Sequence, residues 1–300
     1  MGDWSRPQDK KVMDKVDSQA PNTFKDWINL DKVIIPCLKG TPIVKSWSDA
    51  NFKISEQEWQ QKYSHCEIAL RLDDDVDFDI DNDLVKRFIG KYIVSCGAIS
   101  GRPTNPTSHY WWKGKLDFKQ FALPKELEDH YKDFPHGGTL CEIRNGPTCY
   151  TIVPKSKHSK ANEYVTWEKF TGMNQYPGDL NKDLRKVALS AALSILYGGQ
   201  GKRDQYCTAI AGVLSTHTDW SEKDISEFIY NIAVESNDEE AEKRKSKGTS
   251  IKKAQRKLGI PTLAEIVGCS QKTIAELFRW VGVNHETTEG AAAVTEIIEY

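Results

Sequence analysis

Three aspartates alternate with three apolar residues in the segment VDFDID, residues 76–81. Successive side chains of a β-strand point to opposite faces, so a strand here would turn its apolar residues to the core and its aspartates to the other side. Carboxylates this close repel one another and raise each other's pKa. A divalent cation that prefers oxygen ligands, Mg²⁺ or Mn²⁺, would remove that conflict. The spacing therefore predicts a metal site built from Asp77, Asp79 and Asp81; the alternatives are a calcium-like site and a solvated acidic edge.

The next candidate segment is GAISGRPTNPTSHYWW, residues 97–112, whose Gly, Pro, Asn and Ser residues predict a loop that leads into a strand. Arg102, Ser108 and His109 carry side chains that are well suited to hold phosphate oxygens. Taken alone, the composition is more typical of a surface loop with an incidental histidine.

A third segment, TLCEIRNGPTCYTIVPKSKH at residues 139–158, predicts two strands around a turn at residues 145–147. Glu142 lies in the first of these strands, where its carboxylate is either half-exposed or a third metal ligand. The polar end of the segment fits a nucleotide or a template strand, although such turns are often merely solvated. Its candidate residues are Lys155, Ser156, Lys157 and His158.

Read in order, the three segments resemble the catalytic core of the archaeo-eukaryotic primase superfamily, and more closely the bifunctional primase-polymerase domains of plasmids and phages. The resemblance rests on IALRL…VDFDID, GRPTNPTSHYWW and CEIRNGPTCYTIVPKSKHSKANEYVTWE, and on KGTPIVKSW at residues 39–47, and it covers residues 30–170. The zinc-binding stem of some relatives is missing. The segments GGQGKRDQYCTAIAGVL and TSIKKAQRKLGIPTLAEIVG resemble, more weakly, the helical bundle that follows the core in these proteins.

The resemblance implies a role for each matching residue. Asp79 and Asp81 match the metal-binding pair, Glu142 matches the third carboxylate, and His109 matches the histidine that contacts the incoming triphosphate. Asp77 and Asp79 would fit the spacing of the pair equally well. Arg102, Arg144, Ser156 and His158 match less strictly placed contacts to nucleotide or template.

The implied function is DNA-dependent synthesis and extension of primers on single-stranded DNA, with nucleoside triphosphates and two Mg²⁺ or Mn²⁺ ions. A helicase domain or protein is an expected partner, because relatives often continue into one, and the chain is then a fragment. Two alternatives stay open. One is a non-catalytic DNA-binding replication initiator, since residues 263–278 have helix-turn-helix spacing. The other is a two-metal nuclease that uses the same carboxylates.

The elements that must position these residues indicate an α+β protein. The resemblance implies an RRM-like antiparallel sheet with flanking helices, followed by an all-α helical bundle. We expect a catalytic domain at residues 1–171, a linker at 172–182, the bundle at 183–285 and a tail at 286–300. The bundle carries a basic run that binds phosphates or forms a solvated helix face. Its cations include Lys252, Lys253, Arg256 and Lys257.

The composition gives only broad limits. The net charge of −2 points to no partner, so a nucleic-acid surface would have to be local. The seven cysteines form no CxxC pair, which predicts reduced thiols and no structural zinc. No apolar run approaches the length of a membrane span, and the N-terminal segment lacks a signal-peptide core. We therefore expect a cytoplasmic protein, which the resemblance would place in a prokaryotic host as a phage or plasmid product.

Overall fold

The computed structural model describes residues 20–158, 161–250 and 258–284. Within them the chain has a mixed α+β fold with an antiparallel sheet, which confirms the predicted fold class. Four residues of the predicted basic run, Lys252, Lys253, Arg256 and Lys257, lie outside the described residues, as does the predicted tail. No helix of the described residues is long and apolar enough to cross a membrane.

In the described residues, eight strands form one sheet and two short strands form a second. The main sheet has the order β10-β4-β5-β3-β1-β2, with β7 paired to both β3 and β6. The strands are β1 (Ile34–Leu38), β2 (Thr41–Pro42), β3 (Glu67–Ile80), β4 (Ala98–Arg102), β5 (Asn105–Lys113), β6 (Gln120–Ala122), β7 (Thr139–Ile152), β8 (Lys157–His158), β9 (Glu163–Tyr164) and β10 (Thr166–Phe170).

Strand β3 is the organising element of the sheet. Its 14 residues extend the strand predicted at residues 76–81 back to Glu67. This length lets β3 pair with β1 through residues 67–70 and with β5 through residues 75–79. The acidic segment is therefore held by neighbouring strands.

The loop predicted ahead of the strand at His109 is instead part of a β-hairpin made of β4 and β5, with Arg102 paired to Asn105 across a tight turn. A side chain at residue 101 would clash, because an added Cβ would lie 2.7 Å from the backbone oxygen of Asn105. Gly101 permits this close approach, and composition alone was misleading because glycine and proline also occur in hairpins.

The turn predicted at residues 145–147 lies within β7. Arg144 Nη1 and Thr151 Oγ1 are 3.5 Å apart. In a straight strand, seven residues would separate the two Cα atoms by roughly 23 Å, which the side chains cannot bridge. The chain therefore bends back between them, and Gly146 adopts a φ of 91° at that point.

The chain forms two compact units, each made of several segments. Of the described residues, those within 1–80, 94–120 and 142–179 form the first unit, and those within 81–93, 121–141 and 180–300 form the second. The predicted linear division at residues 172–182 stays a prediction, although residues 81–93 and 121–141 cluster with the C-terminal part. The helices of the first unit are α1 (Phe24–Asn29) and α2 (Glu56–Glu58), the latter continuing into a π-helical turn.

The second unit is mainly helical in its described residues. Helix α7 is an example: Ser221 and Asp224 form a capping box at its N-terminus, and its apolar stripe of Ile225, Phe228, Ile229 and Ile232 is buried. The helices are α3 (Asp83–Tyr92), α4 (Glu128–Tyr131), α5 (Leu180–Ile195), α6 (Arg203–His217), α7 (Glu222–Glu235), α8 (Ala241–Lys245), α9 (Lys247–Ser250), α10 (Ile260–Val267) and α11 (Gln271–Arg279).

Candidate active site

The pairing of β3 with β5 brings the first two sets of candidate residues together. Asp79 is directly opposite His109, and Asp77 is opposite Trp111. Residues directly opposite one another in an antiparallel pair share a face of the sheet. Asp77, Asp79 and His109 therefore lie on one face, as the alternation in the sequence requires.

The acidic face is not a solvated edge. The apolar residues Val76, Phe78 and Ile80 are buried, as expected, but the side chain of Asp77 is also completely buried and that of Asp79 is only 13% exposed. An ionised carboxylate is costly to bury without partners. The surroundings of Asp77 must therefore supply positive charge and hydrogen bonds.

His109 is the first partner. Its Nδ1 lies 3.0 Å and 3.1 Å from the two carboxylate oxygens of Asp77, and its Nε2 lies 3.6 Å from Oδ1 of Asp79. Burial by itself would lower the pKa of His109, but the charges of Asp79 and Asp77 raise it to about 9. The imidazole is therefore protonated at neutral pH, and its Nδ1–H donates to Asp77.

Arg144 is the second partner and is central to the site. Its Nη2 donates to Asp79 Oδ2 and lies 3.4 Å from Glu142 Oε2, while its Nη1 lies 3.8 Å from Asp77 Oδ2. One guanidinium thus contacts all three carboxylates. The resemblance had matched Arg144 only to a less strictly placed contact with nucleotide or template.

Asp77 stays ionised despite its burial. Burial would raise its pKa, but the charge and hydrogen bond of His109, the charge of Arg144 and a hydrogen bond with Thr151 together lower it below the ordinary value. Sequence reasoning missed Thr151, since only the bend in β7 brings this residue to Asp77.

The carboxylates outnumber the cations in this cluster. Asp77, Asp79 and Glu142 carry three negative charges, whereas Arg144 and protonated His109 carry two positive charges. Carboxylate oxygens are the donors that Mg²⁺ and Mn²⁺ prefer, so the chemistry of the set fits a divalent cation. In the described part of the chain, no three His, Cys, Asp or Glu side chains are arranged as ligands around one point, and here the carboxylates surround Arg144 instead.

Asp81 directly follows the last residue of β3 and belongs to the second unit. Its backbone N–H donates to the oxygen of Leu140 at 3.2 Å, and its carboxylate lies 3.7 Å from Nδ1 of His136. The assignment of Asp79 and Asp81 as the metal pair stays a prediction. His109 and Arg144 each contact both Asp79 and Asp77, so these two aspartates share their partners.

Ser108 and Ser156 have surroundings unlike those of His109. Ser108 is adjacent to His109 in β5 and so points to the opposite face. It is buried, and within the described residues its Oγ has no hydrogen-bond partner. Ser156 accepts a hydrogen bond from the N–H of Ile68 at 2.7 Å and donates to the oxygen of the same residue at 3.2 Å. Its hydroxyl is therefore already used to fix the start of β3.

The other basic candidates lie on short or terminal elements. Arg102 ends β4 and is half-buried, while Lys155 and Lys157 are exposed on either side of Ser156. His158 Nδ1 accepts a hydrogen bond from the N–H of Ala161 at 3.2 Å. None of the contacts described for these four residues joins them to the carboxylate cluster, so their predicted role in binding nucleotide or DNA stays a prediction.

The chain shows no detectable similarity to a protein-family model, a curated protein or a solved structure. The functional proposal below therefore rests on the site and on the motifs of the sequence.

Proposed function

We propose that the chain is a nucleotidyltransferase that makes primers on single-stranded DNA and extends them, as the primase-polymerase resemblance implies. One observation supports this most strongly: three carboxylates, an imidazolium and a guanidinium meet on one sheet face with an excess of negative charge. Sites that transfer nucleotides need oxygen ligands for divalent cations and cationic side chains for the triphosphate.

The carboxylates of Asp77, Asp79 and Glu142 are the residues that would hold Mg²⁺ or Mn²⁺. When bound, such ions activate the attacking 3′ hydroxyl and neutralise charge on the triphosphate. His109 is protonated at neutral pH, so it can donate charge-assisted hydrogen bonds to phosphate oxygens. Arg144 can also donate such hydrogen bonds to phosphate oxygens. Without bound ions, its charge neutralises part of the negative charge of the carboxylates.

The proposal extends to the architecture. We interpret the sheet of the first unit as an RRM-like catalytic core and the helices α5 to α11 as the helical bundle of these proteins. The antiparallel order of the sheet and the helical content of the second unit support this interpretation. Single-stranded template, nucleoside triphosphates and a helicase are the corresponding partners, in the cytoplasm of a prokaryotic host.

The initiator alternative has less support. Helices α10 and α11 are joined by a short turn at Gly268, as in a helix-turn-helix motif. However, the N-terminus of α11 is occupied by Glu126, whose carboxylate accepts from the N–H of Ser270 at 2.7 Å and from its hydroxyl at 2.6 Å. A recognition helix reads bases with its N-terminal residues, so this carboxylate would oppose DNA there.

The basic run begins at Lys243 and includes Arg244 and Lys247, and these two residues offer less free charge than the sequence suggested. Arg244 is buried and bonded to Asp238, and its Nη1 lies 3.0 Å from Asp204 Oδ1. Lys247 donates to the other oxygen of Asp204 at 2.8 Å. In its described part, the run therefore contributes to folding through these contacts.

A primer-extension gel tests the proposal against both alternatives. The purified chain is incubated with labelled primed and unprimed single-stranded DNA, nucleotides and Mn²⁺. We expect longer products, whereas shortening of the labelled strand would indicate a nuclease and a mobility shift alone an initiator. Asp79→Asn should lower synthesis by about 10²–10³-fold, and Asp74→Asn, at an exposed carboxylate of the same strand, is the matched control.

A further inference from the structure

A pair of aromatic side chains in the first unit has no role in the cluster described above. The rings of Trp47 and Tyr150 meet edge to face, with centroids 5.2 Å apart and planes at 75°. Both side chains are half-buried, so part of their aromatic surface faces solvent. With Phe52 and Ile152, they cover a small buried cluster of Ile35, Cys37 and Ala69.

The backbone at Trp47 is fixed by hydrogen bonds from a buried side chain. The buried guanidinium of Arg71 donates from Nη1 to the backbone oxygens of Trp47 at 3.2 Å and Asp49 at 2.6 Å. The hydroxyl of Tyr150 donates to the backbone oxygen of Gly40 at 3.0 Å. The aromatic pair is thus fixed before any ligand arrives, which reduces the entropy lost on binding.

The surrounding segment is locally basic. Residues 38–53 contain three lysines and one aspartate, a net charge of +2 in a chain whose total is −2. Lys39, Lys45 and Lys53 are all exposed. Lys39 and Gly40 have φ values of 51° and 74° and form the two-residue turn between β1 and β2, a geometry typical of a type I′ turn. The nearby carboxylate of Glu67 is engaged by the N–H of Gly40 at 2.7 Å.

We propose that Trp47 and Tyr150 form a stacking surface for an unpaired base of single-stranded DNA, with Lys39, Lys45 and Lys53 on its phosphates. Aromatic faces combined with local positive charge are what binding of single strands requires, because every base has a face that can stack. Tyr150 is adjacent in sequence to Thr151, whose Oγ1 is 3.5 Å from Arg144. This inference rests on the proposed function, since it names the surface that would hold the template.

The second unit offers a matched control. Trp220 and Phe228 also meet edge to face, with centroids 5.1 Å apart and planes at 76°. Here Lys186 Nζ lies 4.9 Å from the centre of the Trp220 ring, so the chain's own cation occupies the aromatic face. Trp220→Ala removes a similar aromatic contact, but it should leave binding of single strands unchanged.

The experiment measures binding without catalysis. The full chain is titrated, in EDTA and without nucleotide, into three fluorescently labelled oligomers of equal length: oligo-dT, the same backbone with abasic sites, and a duplex. Anisotropy gives the affinity for each. We expect the wild-type chain to prefer oligo-dT to the abasic oligomer by about tenfold, and Trp47→Ala to lose this preference. Trp47→Phe should retain part of it, because a ring remains.

A second arm tests the lysines. Changing Lys39, Lys45 and Lys53 together to Gln should lower the slope of log affinity against log salt by up to about 2, since each phosphate contact on a single strand contributes about 0.7. The base preference should survive this change. An unchanged slope would overturn the assignment of the lysines.

The inference is overturned if wild-type protein binds the abasic or duplex oligomer as tightly as oligo-dT, a comparison that needs no variant. Equal losses in Trp47→Ala and Trp220→Ala would also overturn it, because they would reflect stability. If base-dependent binding is found but the extension gel shows no synthesis, the proposed function fails and the stacking surface stands. If synthesis is found without base-dependent binding, the stacking surface fails and the proposed function stands.

Discussion

Two clusters of charged side chains, one in each unit, differ in how completely their charges are matched. In the second unit, four acids meet four bases: Asp204, Asp238, Glu239 and Glu240 with Arg203, Lys243, Arg244 and Lys247. In the first unit, three carboxylates share Arg144 and His109. The matched cluster has little to gain from a further ion, whereas the unmatched cluster retains a negative charge that a cation can neutralise.

The two clusters also differ in where their members lie along the chain. Asp238, Glu240 and Arg244 are close neighbours in sequence at the start of α8, and the hydroxyl of Tyr197 donates to Asp238 at 2.7 Å. Asp79, His109 and Arg144 come from three different strands. The first arrangement also ties these neighbours to Arg203 and Asp204 of α6, so it holds elements of the second unit together. The second assembles distant residues around an excess of charge, which is typical of a functional site.

The largest effect should follow from breaking the matched cluster. Arg244→Met leaves the buried carboxylate of Asp238 without its main cation, so we expect the free energy of unfolding to fall by about 3–5 kcal/mol. Urea denaturation measures this change. Lys243→Met, at a residue with an exposed side chain, is the control and should cost less than about 1 kcal/mol. If Arg244→Met lowers the free energy of unfolding as little as Lys243→Met does, the network contributes little to folding.

The next effect concerns the unmatched cluster. We expect Asp79→Asn and Asp77→Asn to lower the rate of nucleotide addition by about 10²–10³-fold, with little loss of stability because each change relieves repulsion between carboxylates. Single-nucleotide extension assays and thermal melting measure the two quantities. Asp81→Asn decides which pair binds metal. If it abolishes synthesis while Asp77→Asn spares it, the pair predicted from the resemblance is right.

Arg144→Met should increase the excess of negative charge in the unmatched cluster. Removing this cation leaves three carboxylates with His109 alone, so the metal-free protein should melt at a lower temperature and gain more from added Mn²⁺ than the wild type does. Melting curves across a Mn²⁺ titration measure this gain. A gain no larger than that of the wild type would mean that Arg144 does not compete with the ion for these carboxylates.

The smallest effect is a dependence of stability on pH. The pKa of His109 is raised from 6.5 to about 9, so its contribution in the metal-free protein is fully present below pH 6.5 and is lost as the pH rises to about 9. We expect the free energy of unfolding to fall across this interval in EDTA, and His109→Gln to remove that part of the slope. Identical slopes for both proteins would contradict a protonated His109.

Truncation would be a poor way to divide the two units. The hydroxyl of Tyr92 in α3 accepts a hydrogen bond from Ser190 in α5 at 3.1 Å, and its ring lies against Phe228 in α7. A fragment that ends near residue 175 would expose these surfaces. Point variants such as those above keep the fold intact and test each cluster separately.

Local patterns in the sequence were enough to predict many elements. Helical apolar spacing in the sequence predicts helices at 84–93, 183–198, 204–217, 221–236, 262–267 and 271–281. The structure has α3, α5, α6, α7, α10 and α11 within a few residues of these bounds, because apolar spacing and caps act over one or two turns. The capping box at Ser221 is the clearest case. The acidic alternation in β3 predicted that Asp77 and Asp79 share a face, because alternation is a property of the strand itself.

Only the tertiary structure decided what surrounds those aspartates. The sequence could not show that the acidic face is buried, since burial depends on neighbouring strands and not on alternation. It also could not place Arg144 between Asp79 and Glu142, because that contact depends on the bend of β7 and its pairing with β3. The sequence also could not show that the glycines and prolines ahead of His109 belong to a hairpin and not to a loop. Whether such residues form a loop or a hairpin depends on strands outside the segment.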